Sequence, residues 1–141
     1  MIGDAATGET TAAEPVTVVG LADVVAEVSE AFERYEAALV ANDLDALAEA
    51  FWDSELTVRF GVADRQYGAE AIDAWRQIAP PLPPGRVIGP TTIVTFGRDA
   101  ACVTTEFRYP SSTSLGRQSQ TWIRFADGWR IVTAHVSLLP E

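Results

Sequence analysis

Arg59 lies inside the short apolar run Leu56-Thr57-Val58-Arg59-Phe60-Gly61, which otherwise reads as a β-strand. A guanidinium in such a place has to meet an anion, because an unpaired buried charge is strongly unfavourable. Arg59 is therefore the first candidate for holding a negatively charged ligand. The competing assignment is a structural ion pair with an acid such as Glu106. The charge layout supports a cationic strand half: residues 1 to 55 carry 13 acids and one Arg, whereas residues 56 to 141 carry 7 acids and nine Arg. The chain has no Lys, which excludes a Schiff-base mechanism, since that needs a primary amine on the enzyme. The single Cys102 sits in Ala100-Ala101-Cys102-Val103 and reads as a small buried hydrophobe rather than a nucleophile. His135 is the only histidine, with a titration range suited to proton transfer, although an imidazole on a β face is ordinarily structural. One His, one Cys and no paired His-carboxylate spacing cannot assemble the usual nitrogen and sulfur shell, so no metal and no cofactor is expected.

The 141 residues are enough for one domain with a single core. A formal charge of −10 argues against nucleic acid or an anionic membrane as partner, because both are approached through clustered positive charge. No Lys or Arg precedes Arg34, so no secretory n-region is expected, and a lone Cys gives no internal disulfide. No apolar run approaches the roughly 20 residues that span a bilayer. Cytoplasmic residence is the resulting expectation.

Residues 1 to 20 read as an N-terminal tail and residues 21 to 141 as the domain. Within the tail, Pro15-Val16-Thr17-Val18-Val19 could add a short extended segment to the domain or to a partner. From Leu21 onward, Val24, Val25, Val28, Phe32, Tyr35 and Leu39 recur at helical spacing and predict a long amphipathic helix. Tyr35 falls on its apolar stripe, so the hydroxyl needs an interior partner or a cavity. Asn42-Asp43 resets the chain before a short helix through Leu44, Leu47 and Phe51, ending near Trp52. A third helix spans Ala69 to Ile78, with Ile72 and Trp75 inward, and Pro80-Pro81-Leu82-Pro83-Pro84-Gly85 ends it. Trp52 and Trp75, near helix ends, either close the core or wall a pocket. Four β-rich runs follow, Val87 to Phe96, Ala100 to Tyr109, Arg117 to Phe125 and Trp129 to Leu139, and predict an antiparallel meander. The fold class is α+β: three N-terminal helices on the concave face of a curved antiparallel sheet, a cone with a mouth.

Asp127-Gly128 as a two-residue turn pairs Thr121 with Ala134 and Ser119 with Val136. That register puts Arg117 and Ser119 at the polar end of an inner face, where a pocket would sit. It turns Gln118, Gln120, Trp122, Trp129 and His135 outward, an aromatic surface suited to a subunit interface. A three-residue turn would instead group His135 and Ser137 with Ser119 and Arg117.

Thr57-Val58-Arg59-Phe60-Gly61, Thr95-Phe96-Gly97-Arg98-Asp99, Thr105-Glu106-Phe107-Arg108 and Gly116-Arg117-Gln118-Ser119-Gln120-Thr121-Trp122 together resemble the AtzH/HpxZ family. So does Gly128-Trp129-Arg130-Ile131-Val132 through Ala134-His135-Val136-Ser137-Leu138, and the likeness runs from about Val24 to Leu139. The resemblance implies the NTF2-like, SnoaL-like cone, association with amidases of ureide and triazine breakdown, and removal of a carboxylate from a small N-carboxylated urea. The substrate type implied is 1,3-dicarboxyurea, giving allophanate. Tyr35 and Arg59 match the positions that the resemblance marks as important. One departure is that Ala79 stands where the family pattern has a second Arg shortly after the one matching Arg76.

The leading expectation is a cofactor-free decarboxylase, with Arg59 as carboxylate clamp and Tyr35 as proton donor or relay. Arg117, Ser119, Trp52, Trp75 and His135 complete the candidate substrate contacts. The rival from another class is a non-catalytic module that binds a small anion or an amidase. A dehydratase or isomerase is a third reading, in which Glu106 or His135 would dominate. The expected partners are a small anionic substrate and a second copy of the chain.

Overall fold

The computed structural model describes residues 18 to 140. Helix α1 (Ala22–Ala41) buries Val24, Val28, Phe32, Tyr35 and Leu39, the stripe that the spacing predicts. Asn42 ends it in the left-handed region at φ 52°, and the Asp43 carboxylate accepts from the Ala46 N–H at 3.1 Å to start α2 (Leu44–Ala50). Strands β1 (Val58–Phe60) and β2 (Arg65–Tyr67) form a small hairpin closed by the Gly61 N–H donating to the Asp64 carbonyl at 2.8 Å. The sequence suggests only a turn at Arg65, because three residues are too few to show a period. Helix α3 (Ala69–Ile78) has the bounds that Gly68 and Pro80 impose. Strands β3 (Val87–Phe96), β4 (Ala100–Arg108), β5 (Leu115–Phe125) and β6 (Gly128–Leu139) complete the chain.

The six strands form one open sheet in the order β2-β1-β6-β5-β4-β3, with the three helices on one face. The core lies between the layers: Val24, Phe32, Leu47 and Ile72 of the helices meet Ala101, Val103, Trp122, Ile131 and Ala134 of the sheet. Two expectations about the sheet change. It is mixed rather than antiparallel, because β1 runs parallel to β6. A strand delivered by α2 instead of by a hairpin has no turn to fix its direction. Before α1, the tail's end joins the sheet: Val19 bridges Phe96, and the Gly97 N–H donates to the Val18 carbonyl at 2.8 Å. The rest of Pro15-Val16-Thr17-Val18-Val19, with the tail assigned to residues 1 to 20, lies outside the described residues up to residue 17.

The second change is the β5–β6 register. Phe125 pairs with Gly128, so Ala126-Asp127 is the turn, and a bulge beside Trp122 leaves Val132 unpaired. Beyond the bulge Ser119 faces His135 and Arg117 faces Ser137. Burial of Trp122 and Ile131 opposite one another decides this, since a one-residue slip of either strand would turn its member of the pair to solvent. The expected faces are inverted except at His135, which is outward as the turn at Asp127-Gly128 had it. Gln118, Gln120, Trp122 and Trp129 point into the protein, whereas Arg117, Ser119 and His135 lie on the outer face. The outer surface is therefore rich in Thr and Ser rather than aromatic, and the stated ground for a subunit interface there disappears. Cys102 follows the same alternation: Ala101 and Val103 face the core, and Cys102 is exposed rather than buried.

Gly116 opposes Phe107 across β4 and β5, and a Cβ there would fall on the Phe107 ring. Gly116→Ala should lower stability by about 1 to 3 kcal/mol, the range for overpacking a filled interior. Thermal denaturation checks this. The same displacement should disturb Arg86, whose guanidinium carbon sits 4.2 Å from the centre of that ring.

Candidate active site

A cavity of about 370 Å³ opens between the helices and the inner sheet face. Its apolar wall includes Leu39, Leu47, Val62, Leu82 and Val136, and its polar groups come from Tyr35, Arg59, Asp64, Arg76, Arg86, Tyr109 and Gln118. Tyr35, Arg59, Arg76 and Gln118 are delivered by helices or strands, while Asp64, Arg86 and Tyr109 stand in loops next to strand ends. Arg59 is the central residue of β1, between Gln66 of β2 and Ala134 of β6, so its side chain points inward with theirs. Tyr35 comes from the middle of α1, its ring held edge-on by Phe51 and Trp122 at centroid distances of 6.1 and 6.4 Å. Trp75 and Arg76 come from the last turns of α3.

Arg59 is 8% exposed and does not pair with Glu106. Its Nη1 donates to Asp64 Oδ1 at 2.7 Å and to Gln66 Oε1 at 3.0 Å, while Gln66 Nε2 donates to the same Asp64 oxygen at 2.9 Å. The guanidinium carbon lies 4.0 Å from the centre of the Trp75 ring. Burial lowers its pKa from the ordinary arginine value, and neighbouring Arg76 adds to that, while Tyr35 and Asp64 oppose it. The group is thus oriented by partners on one edge and open to the cavity on the other.

A second cation, Arg86, is committed elsewhere. Its Nε and Nη2 grip the Glu36 carboxylate at 2.8 and 3.2 Å, Nη1 donates to the Tyr109 hydroxyl at 2.8 Å, and Nη2 also reaches Gln118 Oε1 at 3.3 Å. Gln118 Nε2 completes the cluster on Glu36 at 2.7 Å. Burial disfavours the Arg86 charge, yet the bonds to Glu36 outweigh it and its pKa is raised. Because the Tyr109 oxygen accepts from a cation, its own proton is left to donate elsewhere.

The third cation, Arg76, packs with its guanidinium carbon 5.1 Å from the Trp75 ring centre. Its Nη2 is buried and, among the described residues, has no hydrogen-bond partner.

Of the residues singled out from sequence, Tyr35, Arg59 and Trp75 meet around this cavity. Trp75 serves there as the plate on which two guanidinium groups lie. Arg117, Ser119 and His135 do not join them; they line a shallow depression on the opposite face of the sheet, where Arg117 Nε donates to Ser137 Oγ at 3.2 Å and the His135 ring meets Phe60 edge-on. Arg117 and Ser119 changed face relative to the expectation, whereas His135 is outward as the turn at Asp127-Gly128 had it. Trp52 stacks on Phe125 at 5.3 Å and borders a further depression at the other end of the helices. Sequence reasoning missed Glu36, Arg76, Arg86, Tyr109 and Gln118. For Glu36 a signal existed, since Val28, Phe32 and Glu36 recur every four residues on the buried stripe. Among the described residues, no three His, Cys, Asp or Glu side chains converge as metal ligands, and no helix is long and apolar enough to cross a membrane.

Helices covering one face of an open sheet, with a cavity between the layers, give the NTF2-like fold. An NTF2-like protein of Pseudomonas putida KT2440 superposes with a TM-score of 0.71 at 16% identity, covering 84% of this chain and 89% of that one. The chain belongs to the AtzH-like family, whose model matches residues 17–141. A cystatin-like fold protein from Burkholderia xenovorans LB400 is 49% identical, with a TM-score of 0.86 over 88% of this chain and 98% of its own. A protein of unknown function from the DUF3225 family, from Pectobacterium atrosepticum SCRI1043, is 48% identical, with a TM-score of 0.84 over 86% and 95%. No curated protein matches the chain.

Proposed function

We propose that the protein is a cofactor-free decarboxylase of a small N-carboxylated urea, of the 1,3-dicarboxyurea to allophanate type, within ureide or cyanuric acid breakdown. The observation that carries this reading is the placement of Arg59 and Tyr35 on one apolar-walled cavity, in a chain of the AtzH-like family. The reaction asks little of the protein. A proton is added to the carbamate nitrogen, the carbon–nitrogen bond breaks with its electron pair staying on nitrogen, and carbon dioxide leaves. No carbanion forms. Arg59, fixed by Asp64 and Gln66, offers its free edge to a carboxylate, and Tyr35 supplies or relays the proton. The apolar wall favours the loss of charge as carboxylate becomes neutral carbon dioxide.

The test is carbon dioxide release from freshly generated dicarboxyurea by the purified protein. Tyr35→Phe should slow it by about 10² to 10⁴, the usual contribution of a general acid, with folding retained. Equal background release from wild type and variant would leave the anion-binding or amidase-accessory reading, which an NTF2-like fold serves equally well.

A further inference from the structure

We propose that Arg76 is a second carboxylate anchor, which makes the cavity selective for acids with two negative groups over otherwise identical acids with one. The inference rests on the proposed reading only in that a carboxylate enters this cavity; turnover is not required.

Charge balance around the cavity singles Arg76 out. Arg59 faces Asp64, and Arg86 faces Glu36, so each of those cations has its own acid. No ion pair occupies Arg76, and its Nη2 is both buried and unpartnered among the described residues. A buried donor without an acceptor is destabilising, and one on a guanidinium more so. Arg59 lies on the same indole, and the like charge of Arg76 helps to lower the Arg59 pKa, so the two cations repel. An anion in the cavity that Arg59 and Arg76 both line would offset that repulsion and bring Arg76 an acceptor. Arg117 and Ser119, the expected holders of a distal carboxylate, are on the other face of the sheet and cannot do so.

Glutarate and pentanoate, unreactive acids of equal chain length that differ by one carboxylate, separate this from catalysis. Calorimetric titration of wild type should show glutarate binding at least about tenfold more tightly than pentanoate, the equivalent of one charge-assisted hydrogen-bonded pair. In Arg76→Gln the preference should fall below about threefold while pentanoate affinity stays within about threefold of wild type. An intact preference in the variant, an equal loss for both acids, or binding of neither acid by wild type would overturn the proposal. Should Arg76→Gln not fold, Arg76→Lys decides: a charge without the planar fork should leave a reduced preference, and an unchanged one overturns the proposal. Arg76-dependent glutarate binding without carbon dioxide release would sink the decarboxylase alone; release without that dependence would sink Arg76 alone.

Discussion

Arg59→Ala should lower kcat/KM for a carboxylated ureide by about 10³ while the protein stays folded, because the removed group contributes far more to the ligand than to the fold. The asymmetry follows from its surroundings. Burial already disfavours the guanidinium, and one bond each to Asp64 and Gln66 offset that only in part. After removal, the Asp64 side chain, 29% exposed, can be rehydrated, so no deeply buried acid is orphaned. Gln66 Oε1, in a residue only 6% exposed, loses one donor, so the stability change should stay within about 1 to 3 kcal/mol. Arg59→Met is the sharper variant, since it keeps an apolar stem against Trp75 and loses only charge and donors. Steady-state kinetics and thermal denaturation on the same samples check both halves. Full activity in Arg59→Met would remove this residue from the site, and loss of activity only in parallel with unfolding would make it structural.

Local punctuation explains what the sequence revealed. Gly68 and Pro80 bracket α3, and the β-branched run from Val87 to Phe96 ends at a Gly turn, so those elements have the bounds that the residues announce. Inward placement of Arg59 was legible as a charge inside a short apolar run, although the alternation of Leu56, Val58 and Phe60 by itself would have turned it outward. The β5–β6 hairpin was not, because Asp127-Gly128 looks like the turn although the chain turns one residue earlier. A bulge then corrects the register halfway along. Both events are settled by opposing Trp122 and Ile131 in the core, a long-range preference that no turn motif encodes. Given Trp122 inward, Gln120 and Gln118 follow at period two, and Gln118 forms part of one wall of the cavity. Arg76 was accessible by the same logic, four residues after buried Ile72 on α3. Arg86 was not, since a cation following Pro83-Pro84-Gly85 reads as a solvated loop residue. Only its spatial approach to α1 reveals its acid.

That approach sets up the largest expected effect on stability. Glu36 and Arg86 are 50 residues apart in sequence, with side chains 11% and 4% exposed, and they are joined by two hydrogen bonds, at 2.8 and 3.2 Å. Glu36→Leu leaves the Arg86 guanidinium buried without its acid and removes the acceptor for Gln118 Nε2. The expected loss is about 3 to 5 kcal/mol, the scale for breaking one side of a buried pair. For a chain of this size that lowers Tm by on the order of 10 °C. Glu36→Leu/Arg86→Leu should recover most of the loss, to within about 2 kcal/mol of wild type, because an apolar pair does not carry the desolvation of two charges. Chemical denaturation of the two single variants and the double variant gives the coupling directly. Additive losses, with the double variant worse than either single one, would mean that the two groups do not act as a pair. With stability restored, the Tyr109 hydroxyl would lack the cation that now takes its lone pair, and its proton would no longer be directed by that bond. A double variant that folds like wild type yet binds carboxylates more weakly would therefore separate the two roles of this cluster, one in closing the α1-to-sheet seam and one in setting the polar wall of the cavity.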